Sequence, residues 1–493
     1  MRGAGEFDLV VSGRVVLPGR VLDRGYVGIR GGRIAAVGEL GPSAPPARRT
    51  VGTRRAYVLP GVIDTHVHTR SEPAEGITRC TEAAVAGGVT TIVDMPYDTP
   101  AAVPDVGTFE KKVADVQAQA VADVALYGTI RKEGGLDEIE RIAAAGACAF
   151  KVATYEAHPV RFPRIPDGEL LAAFRRIAAV DLPVAVHCES QDIADRGVAA
   201  ERAAGRTDPM AHGRSRPPVS ETEAVGRVLE LAYGTDVHVH IVHASVPRSI
   251  DLVERYRREG VRATVETCIQ YLVLDETAAA RLGAFAKINP PLRSRDHVDA
   301  LWRYLAAGRI DQVTSDHAPW LASSKRDPDI FKNASGAPGV ETLLPLLYHF
   351  GVGSGRISIL ELAALLAERP ARNFGLAPRK GWLAPGADAD LTVLDPDATW
   401  IVRAERLHSA AGWTPFEGFE IRGRVTHTVV RGRVAFEEGT IRARPGDGQF
   451  IRPMRSGTGG AIYDRRAPEA GADRGGHDRR THPRGAGATA RPV

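Results

Sequence analysis

Between residues 58 and 317 one pattern recurs eight times: a short, mostly apolar run, then an amphipathic stretch of helical period. The runs fall at 58–68, 88–95, 123–130, 148–154, 183–189, 238–245, 262–268 and 310–317, and read as strands from their length and their β-branched content. Stretches such as DGELLAAFRRIAAV and SETEAVGRVLELAYG supply the helices between them, and the second opens on a Ser220/Glu223 capping box. Eight such alternations are what a (β/α)8 barrel, a fold of the α/β class, requires. An open doubly wound sheet uses the same elements, but no G-x-G-x-x-G follows the first strand.

Both ends of the chain are written differently. FDLVVSGRVVLPG and GYVGIRGGRIAAVGE near the start, and ADLTVLDPDATWIV and GRVTHTVVRGRVAFEEGTI near the end, are strand and turn. They predict a small, discontinuous β-sandwich domain from residues 1–58 and 372–454, with the barrel inserted as residues 59–371. The stretch 455–493 is rich in Gly, Ala, Arg and Pro with little to bury, and is expected to be disordered. It carries the whole formal net charge of +4, so the body is electrically neutral and implies no nucleic-acid face. No apolar run is long enough to span a membrane and the first residues lack a signal-peptide block, so a cytoplasmic location is expected. The four cysteines are far apart without any C-x-x-C and read as reduced core thiols.

Chemistry in such a barrel sits at the C-terminal ends of the strands. There the sequence places His66 and His68 on the first strand, Lys151 on the fourth, His187 on the fifth, His243 on the sixth and Asp316 on the eighth. His66 and His68 are two residues apart, so on a strand they face the same way with Cα atoms about 7 Å apart, within reach of one metal ion. His238 and His240 repeat the H-x-H spacing. They begin the sixth strand in the parity opposite to His243, and are expected to face the helices or the barrel floor. Lys151 is the odd member, because an ammonium beside a dication is unfavourable unless its charge is removed. A deprotonated lysine can take up carbon dioxide as a carbamate whose two oxygens bridge two metals. Snorkelling to solvent, or pairing with an acid, is the alternative.

PGVIDTHVH, AFKVATY, VAVHCES, HIVHAS, NPPLRS and TSDHAP, in this order, resemble the cyclic-amide branch of the amidohydrolase superfamily: dihydroorotase, allantoinase, and hydantoinase or dihydropyrimidinase. The resemblance covers roughly residues 5–450. It implies that His66, His68 and Asp316 hold one zinc ion, that His187 and His243 hold the other, and that carbamylated Lys151 bridges them. It implies a hydrolase of small cyclic amides in which Asp316 carries the proton from the attacking water to the departing nitrogen. It also implies a homo-oligomer, a dimer or tetramer. Relatives include non-catalytic scaffold proteins, which typically lose metal ligands; all six are present here.

For the substrate, Arg70 completes an H-x-H-x-R pattern similar to that in which dihydroorotases grip a substrate carboxylate, and a planar guanidinium suits that task. This favours a dihydroorotase-like enzyme, with an allantoinase or hydantoinase acting on a neutral ring as the alternative. Departures from the dihydroorotase pattern are Tyr97 in DMPYDTP, Ile269 and Gln270 in ETCIQYL, and Trp320 after TSDHAP. Tyr97 and Trp320 suggest a reshaped pocket. Tyr155 stands near the position of a hydantoinase tyrosine that bonds the developing oxyanion. Asn289 and His317 are placed among the substrate contacts, and Arg216 is expected to be structural. The segment EAHPVRFPRIP is expected to form a loop over the barrel mouth, where loops commonly select substrate.

Overall fold

A computed structural model describes residues 6–41 and 45–454; the expected disordered tail, 455–493, lies outside the described residues. The chain starts with four strands: β1 (Leu9–Leu17), β2 (Arg20–Arg30), β3 (Arg33–Glu39) and β4 (Thr50–Pro60). Eight more follow as β5 (Val62–Val67), β6 (Val89–Asp94), β7 (Asp123–Gly128), β8 (Ala149–Ala153), β9 (Pro183–His187), β10 (His238–Ile241), β11 (Ala263–Cys268) and β12 (Gln312–Thr314). The last four are β13 (Leu391–Ile401), β14 (Glu420–Val430), β15 (Arg433–Glu437) and β16 (Thr440–Ile441).

Strands β5 to β12 pair in sequence order and in parallel, with helices in the connections. Every residue of these eight strands is buried, the consequence of being covered on both faces. The ring closes through residue 317: the His68 amide donates to the His317 carbonyl at 2.9 Å and the His317 amide to the His66 carbonyl at 3.2 Å. This is the expected barrel.

The remaining strands form one mixed sheet in the order β16-β15-β14-β13-β4-β1-β2-β3, drawn from both ends of the chain as expected. Val11, Val15, Val27, Ile29, Val58, Leu391, Val393 and Val429 fill its own core. Gly31 and Gly32, both at positive φ (59° and 79°), make the two-residue turn between β2 and β3 that a side chain would strain.

Two expected elements differ. The run 58–68 is two strands. Pro60 still pairs with Leu391 of β13, and the Gly61 amide donates to the Asp390 carbonyl at 2.9 Å before β5 enters the barrel. A Cβ at Gly61 would lie 2.2 Å from the Thr90 hydroxyl, so the crossing point has no room for a side chain. The Ser220/Glu223 capping box does not form. The helix starts earlier, spanning Pro218–Tyr233 with Pro218 in its first turn, where the fixed φ of proline favours initiation.

Where the sheet meets the barrel, the buried Lys380 ammonium lies 2.5 Å from Asp123, 2.6 Å from Asp390 and 3.1 Å from Asp388. Burial alone would push this ammonium down; the three carboxylates outweigh it and hold it above the usual lysine range. Those acids have metal-ligand spacing, but the lysine already supplies their cation. Lys380→Met should leave buried carboxylates uncompensated and cost about 3–5 kcal/mol, read as a lowered denaturation midpoint. A loss below about 1 kcal/mol would mean that Arg431 and Arg379, which also pair there, suffice.

All four cysteines are buried and free. No helix among the described residues is long and apolar enough to cross a membrane.

Candidate active site

At the C-terminal ends of the barrel strands a cavity of about 840 Å³ opens, with His66, His68, Lys151, His187, His243 and Asp316 in its lining. Four imidazoles run contiguously across it. Ring centroids are 5.5 Å apart for His68 and His66, 5.4 Å for His66 and His243, and 4.6 Å for His243 and His187. One Asp316 oxygen stands 3.1 Å from His66 Nε2 and 3.5 Å from His68 Nε2.

Buried carboxylates set the imidazole tautomers. Glu266 Oε1 lies 2.6 Å from His66 Nδ1, and its other oxygen lies 3.0 Å from His240 Nε2 and 3.0 Å from the Gln312 amide. Burial would raise the Glu266 carboxyl, but His66 and His240 outweigh that and keep it ionised, so it only accepts. His66 Nδ1–H therefore donates to it, and a bare Nε2 lone pair is left facing the Asp316 carboxylate. Glu189 does the same for His187. It accepts from Nε2–H at 2.9 Å, leaving the Nδ1 lone pair 2.8 Å from His243 Nε2. Arg216, 3.0 Å from Glu189, together with His187 overcomes the burial penalty and holds that carboxyl down at about 2. Such carboxylate–histidine pairs are the usual support behind metal-binding imidazoles.

Lys151 Nζ is buried with no hydrogen-bond partner among the described residues. Burial pushes its ammonium down to about 8, against the opposing pull of Glu266 and Asp316. Burial would raise the Asp316 carboxyl, yet His66 and His68 hold it below the usual carboxylate range. The His243 imidazole is held well below its ordinary value by burial, then by His187 and Lys151. An imidazole lone pair facing a carboxylate, two imidazole nitrogens 2.8 Å apart and an orphaned amine are what a pair of cations would satisfy, so the donor set fits a binuclear metal centre.

His243 and Asp316 have positive φ, 39° and 45°, just beyond β10 and β12. Such backbone costs of order 1–3 kcal/mol per residue and concentrates at functional sites. It turns the chain out of the strand and aims both side chains across the barrel mouth. The regular parts of strands 238–245 and 310–317 are accordingly shorter than expected, ending at Ile241 and Thr314.

Other expected residues divide. Tyr97, Tyr155, Asn289 and Trp320 line the cavity. Asn289 Oδ1 is buried there without a partner, and Tyr155 lies beneath Arg216, whose guanidinium carbon is 4.3 Å from its ring centre. Arg216 itself lines the cavity while pairing with Glu189.

Arg70 and His317 do not line the cavity. Arg70 Nη1 pairs with Asp115 at 2.6 Å, on the helix Val106–Gln119. His317 is consumed in barrel closure: Nδ1 accepts from the Gly339 amide at 3.1 Å, and Nε2 faces Glu75 at 3.2 Å. For both, the immediate chain direction after a cavity-lining residue was legible, but the partner awaiting the side chain was not. Arg70→Met should cost at most about 1 kcal/mol of stability and leave relative rates on anionic and neutral rings unchanged, measured by parallel assays. A selective loss on anionic rings would return Arg70 to the site.

Sequence reasoning missed Glu266, Glu189 as a positioning group, Ser71 and Arg161. Glu189 sits in VAVHCES, two residues from His187, so strand parity would have pointed to it; Glu266 in ETCIQYL has no site residue on its strand to set the parity.

The amidohydrolase family model matches residues 57–435. An allantoinase of Rubrobacter xylanophilus is 38% identical over 455 residues, covering 91% of this chain and 98% of the relative. An L-hydantoinase of Paenarthrobacter aurescens is 34% identical, covering 90% and 98%. The solved structure of an L-hydantoinase (dihydropyrimidinase) from Arthrobacter aurescens superposes with a TM-score of 0.87 at 33% identity, over 90% of this chain and all of the other. With the barrel, the two-ended sheet and the imidazole cluster in place, the chain belongs to the amidohydrolase family, as a hydrolase of its cyclic-amide branch.

Proposed function

We propose that this enzyme opens the ring of a cyclic ureide of the allantoin or hydantoin type, rather than dihydroorotate, at a binuclear zinc centre. The position of Arg70 carries the choice: the side chain expected to grip a ring carboxylate is bound to Asp115 outside the cavity. The relatives named allantoinase and hydantoinase support the same choice.

In this reading His66, His68 and Asp316 hold one ion and His187 and His243 the other. Lys151, once its free amine has added carbon dioxide and released one proton to become a carbamate, would supply the remaining oxygen donors. When bound, two divalent ions acidify water and polarise a carbonyl. Asp316 accepts the proton of the attacking water and returns it to the departing ring nitrogen. The Tyr155 hydroxyl donates to the carbonyl oxygen as charge develops on it, and the Asn289 side chain reads the ring edge. One ring C–N bond breaks and the elements of one water are added, giving a carboxylate and an N–H on the ureido product. By the same analogy the protein is a cytoplasmic homo-oligomer, a dimer or tetramer, which light scattering on purified protein would size.

The test is a side-by-side assay of allantoin, dihydrouracil, 5-substituted hydantoins and dihydroorotate, with metal content measured per chain. Turnover of ureide rings ahead of dihydroorotate, with two zinc ions bound, is expected. Fastest turnover of dihydroorotate, or full activity without metal, would overturn the reading.

A further inference from the structure

We infer that Arg161 selects substrates whose ring carries an anionic substituent, a carboxylate on a short arm. The inference rests on the ring-opening reading above and adds the substrate class.

Arg161 belongs to the expected mouth loop, and the loop is built to present it. His158 and Phe162 exchange backbone hydrogen bonds of 3.1 and 3.0 Å, closing a tight turn. Inside the turn His158 Nδ1 accepts from the Val160 and Arg161 amides at 3.2 and 3.1 Å. The guanidinium then reaches into the cavity, its carbon 4.7 Å from the Tyr97 ring centre and 5.8 Å from that of Trp320. Its Nη1 donates to the Thr99 hydroxyl at 2.5 Å and to the Ser71 carbonyl at 3.3 Å, which anchors one edge.

The other edge is free. Nε and Nη2 of Arg161 have no hydrogen-bond partner among the described residues, and no carboxylate pairs with this side chain. The other cavity arginines do have acids: Arg202 is 3.1 Å from Asp329 and Arg216 is 3.0 Å from Glu189. A half-buried, pre-oriented guanidinium with one open fork and no counter-ion matches a carboxylate accepted through two parallel hydrogen bonds.

Its place calls for an arm. The Tyr97 ring contacts both groups: its centroid is 5.8 Å from that of His68 and 4.7 Å from the Arg161 guanidinium carbon. A ring amide held at the imidazole cluster would send its substituent along Tyr97 toward the fork, so the carboxylate is carried on an arm rather than on the ring itself. Dihydroorotate carries its carboxylate directly on the ring, without such an arm. Tyr97, Phe162 and Trp320 would enclose the arm itself.

The test compares 5-carboxymethylhydantoin with its neutral isostere 5-carbamoylmethylhydantoin, in the metal-loaded wild type and in Arg161→Gln. Wild type should favour the carboxylate in kcat/KM by about tenfold or more, chiefly through KM, and the preference should shrink with added salt. In Arg161→Gln the preference should vanish, with turnover of the neutral isostere kept within about threefold.

Calorimetric titration with N-carbamoyl-aspartate and N-carbamoyl-asparagine reads the same contact without turnover. Tighter binding of the diacid to wild type, erased in Arg161→Gln, supports the inference even if the enzyme opens neither hydantoin, an outcome that would count against the ring-opening reading alone. Equal binding of the two ureido acids by wild type, or a diacid preference surviving in Arg161→Gln, overturns the inference and leaves that reading standing.

Discussion

Lys151→Ala should retain fewer than two metal ions per chain and lose more than about 100-fold in turnover, the upper range for losing even an outer-shell partner of a metal site. Lys151 stands buried between acids and imidazoles, and its amine has no hydrogen-bond partner among the described residues. A group in that position either bears a desolvated charge or is chemically converted. Burial that brings the ammonium to about 8 leaves a usable fraction of free amine near neutral pH, which is what carbamate formation requires. Alanine leaves a gap the size of a short acid. Acetate or propionate at high concentration should therefore restore part of both metal content and activity. Two bound metals and full activity in Lys151→Ala without added acid would rule out the bridge.

Asp316→Asn is expected to lower kcat by of order 10²-fold or more with little change in KM, because an amide keeps a weak oxygen donor but cannot carry a proton. The carboxyl is well placed for the task. His66 and His68 hold it ionised despite burial, so it is ready to accept a proton, and its positive φ directs it across the mouth rather than along the barrel wall. A raised KM with unchanged kcat would assign Asp316 to substrate binding instead. Metal analysis of the same variant separates the two losses: retained metal with lost turnover points to proton transfer, and lost metal to ligation.

The six residues at the centre were legible because strand ends are local. Period-two alternation puts His66 and His68 on one face, and the repeating strand–helix unit places Lys151, His187, His243 and Asp316 at equivalent ends. Parity also separated His240 from His243. His240 faces Glu266 within the barrel and stays outside the cavity lining. The absence of Arg70 and His317 from the cavity lining has one cause. Each follows a cavity-lining residue in a motif, and each side chain has a strong partner distant in sequence: Asp115, 45 positions away, for Arg70, and Glu75, 242 positions away, for His317.

The sequence by itself determined the barrel, the two-ended sheet, the ring of metal-capable side chains and the branch of hydrolases to which the chain belongs. The first three follow from periodicity and the branch from the resemblance that six short motifs carry, and both depend on neighbours along the chain. Only the tertiary structure decided which arginine faces the cavity, where β4 hands over to β5, and which acids fix the imidazole tautomers. Long side chains settle against whichever opposite charge lies within their reach, and that charge is brought near by folding rather than by spacing. Arg70 met Asp115, Arg202 met Asp329 and Arg216 met Glu189, while Arg161, held by a turn around His158, was left with an open fork over Tyr97.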